Sequence, residues 1–199
     1  SHNMYAWADR IDPHKGLLRL VFGLGTRAVD RVEDYPRMIA LSHPQLRPEV
    51  GEEIARYAQR SIDLIDLRAN ALRSEPLSQI VDADYPNLHL YASEISDGYV
   101  HDAPGNLLHG SFHDRSLVLT FSKFIQRTPF VALMRTMLQT LEQVYGHALD
   151  TEFTIHLERD GRLRLNLLQC RPMSLPGWLP GQTPDHIPPQ RVLFRANRM

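Results

Sequence analysis

Apolar and polar positions alternate most clearly over residues 150–172, DTEFTIHLERDGRLRLNLLQCRP. Two alternating runs flank Asp160-Gly161, the strongest short-range signal for a β-hairpin. A two-residue turn there sets Glu152 opposite Gln169 and Asp150 opposite Arg171. Paired residues share a side of the sheet, so four polar groups gather at one mouth. The same register puts Leu163, Leu165 and Leu167 on the side of Glu152, Thr154 and His156. A three-residue turn instead aligns those leucines with Phe153, Ile155 and Leu157, but it turns Gln169 away from Glu152. A β-bulge between turn and mouth satisfies both demands, and bulges recur beside active sites.

A second pattern has helical spacing. Phe130, Leu133, Met134, Met137, Leu138, Leu141 and Val144 fall on one face. Thr128 suits the N-cap, Pro129 the first helical position and Gly146 the C-cap. The methionines read as core filler. This helix feeds the hairpin and is expected to pack on its apolar face.

Weaker patterns fill the rest of the chain. Strands are expected at 4–8, 17–22, 34–41, 62–67, 88–92 and 117–121, and short helical segments at 52–59 and 77–81. Residues 10–15 read as a turn around Pro13. The sum is an α+β chain, mostly antiparallel sheet with packed helices. Residues 172–189 hold six of the 14 prolines and read as an extended linker. Residues 191–194 (RVLF) look like the opening of another strand. Residues 1–3 precede Met4 and resemble a cloning remnant. Both ends therefore read as cuts from a longer protein.

Composition narrows the function classes. The chain has 199 residues, 43% of them hydrophobic and 23% charged, which is ordinary for a globular domain. A net charge of −1 gives no footprint for nucleic acid or for an acidic membrane surface. Cys170 is the single cysteine, which excludes an internal disulfide and fits a reducing, cytoplasmic setting. No apolar run is long enough to span a membrane.

Several polar motifs compete for a chemical role. Residues 17–22 run into Gly23-Leu24-Gly25, and glycines after a strand let backbone approach a ligand. The third glycine of a dinucleotide fingerprint and the lysine of a P-loop are absent, and a tight turn explains the pair equally well. Ser42-His43-Pro44 reads as a loop. His101, Asp102, His109, His113 and Asp114 crowd one segment. Pro104, Gly105 and Gly110 interrupt any helix that could array them around zinc, so they read as loop residues.

The hairpin, with Asp-x-Glu-Phe opening one strand and Leu-Gln-x-Arg-Pro closing the other, resembles the C-terminal signature of a known ATP-binding domain. That domain belongs to the phosphoenolpyruvate synthase and pyruvate phosphate dikinase family. VFGLGTRAV at 21–29 is similar to the family's Gly-Leu-Gly-Glu loop. The longer VFGLGTRAVDRVEDYPRMIALSHP looks like a bacterial phosphoenolpyruvate-synthase-like branch.

The resemblance implies one lobe of an ATP-grasp-like fold over residues 4–171, with an insert at about 44–115. ATP would lie between two lobes. Glu152 and Gln169 match Mg2+ ligands, Arg171 matches an arginine on the transferred phosphoryl group, and Asp150 matches the aspartate that supports it. Gly23, Gly25 and Thr26 match the nucleotide-contacting loop. Thr26 stands where the family has glutamate, so it supplies no carboxylate. The implied parent phosphorylates a histidine from ATP and passes the group to pyruvate. Its partners would be the first ATP-grasp lobe, a phosphohistidine domain and a pyruvate-binding domain, and the fragment alone would be inactive. The alternative is a degenerate lobe that serves as a binding or regulatory module.

Overall fold

The structure is a computed structural model that describes residues 6–28, 35–80, 85–102 and 117–173. Asp12 caps a 3-10 turn at Pro13–Lys15 by accepting the His14 N–H, and the chain then enters β1 (Leu17–Leu20). β1 pairs antiparallel with β2 (Arg37–Ala40), from Leu17 opposite Ala40 to Leu20 opposite Arg37. Leu18, Leu20 and Ile39 are buried on this pair.

After α1 (Glu52–Tyr57), β3 (Ser61–Asp66) and β4 (Ala71–Pro76) form an antiparallel hairpin. Its outer end leaves Ile65, Leu67 and Leu72 exposed. Two short helical turns follow, α2 (Leu77–Ile80) and α3 (Leu88–Tyr91). β5 (Ala92–Ser96) then lies between β6 (Tyr99–Asp102) and β7 (Leu117–Leu119), antiparallel to both.

α4 (Ser122–Arg127) and α5 (Phe130–Tyr145) lead into the long pair β8 (Leu149–Leu157) and β9 (Leu163–Pro172). α5 buries Phe130, Met134 and Leu138 from the face its spacing predicts, together with Val131, while Val144 on that face is 75% exposed; the helix ends at Gly146 in a left-handed conformation. The Gly146 N–H donates to the Glu142 carbonyl, the expected C-terminal cap. The helix starts one residue later than Thr128 and Pro129 predict, although the Thr128 hydroxyl still accepts the Phe130 N–H.

One core joins these elements. It contains Leu18, Ile39, Leu41, Phe124, Phe130, Met134 and Leu157, together with Ile62, Leu77, Leu88 and Ala92 from within the segment 44–115. A file of aromatic rings crosses it. Phe22 meets Tyr91 (5.5 Å between centroids), Tyr91 meets Phe124 (5.3 Å), Phe124 meets Phe130 (5.0 Å) and Phe130 meets Phe153 (6.5 Å).

The α+β class with antiparallel pairing agrees with the sequence pattern. Two local expectations do not hold. Leu88–Tyr91 is a helical turn rather than a strand, entered through left-handed Asn87. The apolar run LHLY is too short for its period to separate the two structures. Ala6, Trp7 and Ala8 form no strand. β4, β5, β6 and α4 were not expected at all. The cue for β5–β6 is Asp97-Gly98, whose two positive φ values (53° and 80°) make a tight hairpin turn. The expected linker at 172–189 lies beyond the described residues from 174 onward, as do residues 191–194.

Candidate functional site

The β8–β9 hairpin begins with its turn. The Glu158 N–H donates to the Arg162 carbonyl and the Gly161 N–H to the Glu158 carbonyl, which closes a three-residue loop over Arg159, Asp160 and Gly161. Gly161 sits at φ +83°, the position at which such a loop favours glycine. The turn is therefore one residue longer than the two-residue reading of Asp160-Gly161.

Above that loop Leu157 faces Leu163, Ile155 faces Leu165 and Phe153 faces Leu167. Leu157, Leu163, Ile155, Leu165 and Phe153 pack on the core, while Leu167 is 42% exposed. The register then shifts between Glu152 and Phe153, so that Glu152 faces Gln169 and Asp150 faces Arg171. Leu168 is the extra residue, and it is 62% exposed. This is the bulge the sequence requires. Side chains alternate along a strand, so Gln169 at three residues from Asn166 would otherwise point to the opposite side. With the bulge, Asp150, Glu152, Thr154 and His156 share a face with Arg171, Gln169, Asn166 and Arg164. Asn166 Nδ2 donates to Thr154 Oγ1 (3.1 Å) in the middle of that face.

At the mouth, Arg171 Nε and one terminal nitrogen both donate to Asp150 Oδ2, at 3.0 and 2.7 Å. Hydrogen bonding to Asp150, then its charge, raises the Arg171 pKa further, and Glu152 adds to the effect. A guanidinium carries five N–H donors, so this pair leaves three for another anion. Glu152 and Gln169 have no hydrogen-bond or ion-pair partner among the described residues. They offer one carboxylate and one amide oxygen on the same face. No cluster of three or more His, Cys, Asp or Glu residues suited to a metal occurs among the described residues. The pair therefore fits an ion that takes only part of its oxygen shell from protein, as Mg2+ does beside phosphates.

The glycine loop is built on different neighbours. Phe22, at the end of β1, exchanges two hydrogen bonds with the side chain of Gln59, each 2.8 Å. Gly23 comes next at φ +93°, and a Cβ there would lie 2.5 Å from Ile62 Cγ2 and 2.7 Å from the Asp63 carbonyl oxygen. Gly25 has nothing within 4 Å of its Cβ position. The two glycines thus do different things. Gly23 lets the loop press on β3, while Gly25 leaves open space. Gly23→Ala is expected to lower stability by about 1–3 kcal/mol through strain and overlap, whereas Gly25→Ala leaves the melting temperature unchanged; differential scanning calorimetry of both variants checks this.

Asp63 gathers the rest of the loop. Its carbonyl accepts the Leu24 N–H (2.9 Å), Oδ2 accepts the Thr26 hydroxyl (2.7 Å) and Oδ1 accepts Arg27 Nε (2.9 Å). Arg27 also donates to Ser74 Oγ. Burial alone would raise the Asp63 pKa. The hydrogen bonds from Thr26, Ser74 and Arg27, with the Arg27 charge, outweigh it and hold the carboxyl below its usual range. Among the described residues, no hydrogen bond or ion pair joins Gly23, Gly25 or Thr26 to Asp150, Glu152, Gln169 or Arg171. The sequence pattern singles out Thr26 but not Asp63, which lies 37 residues away.

The described candidates among the rest have partners of their own. His43 sits in a turn where its N–H donates to the Ala40 carbonyl. His101 and Asp102 lie on β6, and Asp102 pairs with Lys123 at 3.7 Å. His109, His113 and Asp114 lie outside the described residues. A cavity of about 540 Å3 opens at the far end of the hairpin, between Tyr85 and Tyr91 on one side and residues 156–162 on the other. At roughly 3.3 Å per residue, its nearest lining residue, His156, is about 13 Å along β8 from Glu152. At the mouth the Arg171 and Asp150 side chains are 60% and 47% exposed.

Among known families, the one described as pyruvate phosphate dikinase, AMP/ATP-binding domain, matches residues 8–180. No curated protein and no solved structure matches the chain.

Proposed function

Since the chain belongs to the pyruvate phosphate dikinase AMP/ATP-binding domain family, we propose that it is the second, ATP-grasp-like lobe of a phosphotransferase and that the hairpin mouth handles the phosphates of ATP. The family is one of kinase-type phosphotransferases, and ATP is its ligand. The observation that carries the reading is the register. One bulge brings Asp150, Glu152, Gln169 and Arg171 to a single face.

The roles come from the chemistry of each group. Glu152 and Gln169 would hold Mg2+, which neutralises charge on the β- and γ-phosphates when bound. Arg171 contacts the moving phosphoryl group with the donors Asp150 leaves unused. Asp150 fixes the guanidinium in the plane it needs. Gly23, Gly25 and Thr26 contribute loop backbone towards the nucleotide. The Thr26 proton is committed to Asp63, so its oxygen can only accept. Residues 4–171 make up the lobe, with 44–115 inserted, and 172–199 link it to the next segment of the parent. The first lobe, a phosphohistidine domain and a pyruvate-binding domain would belong to the same parent, with phosphoenolpyruvate as product. The single cysteine fits a cytoplasmic protein. No helix among the described residues is long and apolar enough to cross a membrane.

The test uses the full-length protein. Pyruvate-dependent AMP formation from ATP is expected in the wild type. Glu152→Ala should lower turnover about a hundredfold and raise the Mg2+ concentration needed for half-maximal rate. Wild-type turnover in both Glu152→Ala and Arg171→Ala would remove the site from the mouth. A parent with no ATP-dependent turnover would favour a binding or regulatory module.

A further inference from the structure

Two side chains from the segment 44–115 grip the chain on either side of the glycine pair. Gln59 is 2% exposed and closes two hydrogen bonds on the backbone of Phe22. The Asp63 side chain closes two more, on Thr26 and Arg27, and its backbone carbonyl accepts the Leu24 N–H. Between these anchors Gly23 is pressed against Ile62 and the Asp63 carbonyl. The loop cannot leave β3 without breaking the bonds to Asp63, and Arg19 on β1 also donates to the Ala28 carbonyl at its far end.

We infer that Asp63 is a positioning residue for the glycine loop: through Thr26 and Arg27 it fixes the backbone of residues 23–27 in the conformation that receives the nucleotide. The inference rests on the phosphotransferase reading above and adds to it a residue that lies outside both the loop and the hairpin mouth. The chemistry suits the role. An aspartate short enough to stay on its strand presents two oxygens to two different donors. The guanidinium it meets is itself largely buried, and a buried cation left without its carboxylate would rearrange. Loss of the carboxylate therefore loosens the loop from its Arg27 end. The nucleotide must then order the loop on binding, which weakens apparent affinity more than it slows the chemical step.

The experiment is steady-state kinetics on the full-length protein, paired with hydrogen exchange of the peptides covering residues 20–28 and 149–172. Asp63→Asn keeps the size but sets an amide against Arg27. It is expected to raise the KM for ATP about tenfold with kcat within about twofold, and to speed exchange in residues 20–28 without changing the hairpin. Ser74→Ala removes a further Arg27 partner and should shift KM the same way by less, which keeps the proposal open to test should Asp63→Asn fold poorly. Leu72→Ala, on the same hairpin but away from the loop, controls for general damage and should leave KM unchanged. Wild-type KM in folded Asp63→Asn and Ser74→Ala, with Glu152→Ala inactive, overturns the positioning role and leaves the hairpin reading intact. Full turnover in Glu152→Ala and Arg171→Ala overturns both.

Discussion

Arg171→Ala is expected to silence ATP turnover while the domain stays folded. Arg171 is exposed and reaches Asp150 through Nε and one terminal nitrogen, so its truncation opens no cavity. It removes the donors proposed to meet the moving phosphoryl group. The drop should be at least about 10³-fold, the scale on which arginine placement acts in phosphoryl transfer. Deletion of Leu168 is the contrasting case. Leu168 is the one residue by which β9 exceeds β8 between the loop and the mouth. Removing it leaves a regular ladder in which Gln169 still faces Glu152 and Arg171 still faces Asp150, so the four groups keep their face and turnover should be retained. Leu168→Ala should also retain near-wild-type turnover, because its side chain is 62% exposed. Turnover of the three variants, with circular dichroism to verify folding, makes the comparison. Wild-type turnover in Arg171→Ala would show that the shared face is not what the chemistry uses.

Phe130→Ala is expected to cost about 3–5 kcal/mol of stability, the range for a phenylalanine truncated in a packed core. Phe130 is fully buried at the start of α5 and stands between Phe124 and Phe153 in the ring file. Its loss opens a cavity where the helix meets the hairpin, immediately below the bulge. Domains of this size are stable by about 5–15 kcal/mol in total, so the variant should melt far earlier or fail to accumulate. Chemical denaturation of Phe130→Ala and of the milder Phe130→Leu measures the effect. A loss below about 1 kcal/mol in Phe130→Ala would mean that the hairpin and α5 do not share a core.

What the sequence reveals about this domain depends on range. The hairpin, its bulge and the C-terminal cap of α5 are legible because each is set by residues close in the chain. Alternation fixes the two faces of β8–β9, and two incompatible demands on Leu165 and Gln169 leave a bulge as the solution. β4 is the opposite case. ALRSEP carries almost no strand signal, and its pairing is fixed by β3 across the turn. Asp63 is the same kind of omission. In IDLIDL it reads as an ordinary polar position on an alternating strand. Its meaning comes from Thr26 and Arg27, which are brought to it only by the fold. Ile62, Leu77, Leu88 and Ala92, from within residues 44–115, likewise join the core through contacts that no local pattern specifies.

β8 and β9 pair only with each other among the described strands, which leaves β9 with an unpaired outer edge. A straight ten-residue edge with Leu167 and Leu168 exposed invites strand addition from another molecule. The extra residue at Leu168 breaks the spacing of N–H and C=O groups along that edge and twists it, so a foreign strand can pair with it for only part of its length. The irregularity that gathers the polar groups on one face therefore also guards the flank of the sheet against aggregation.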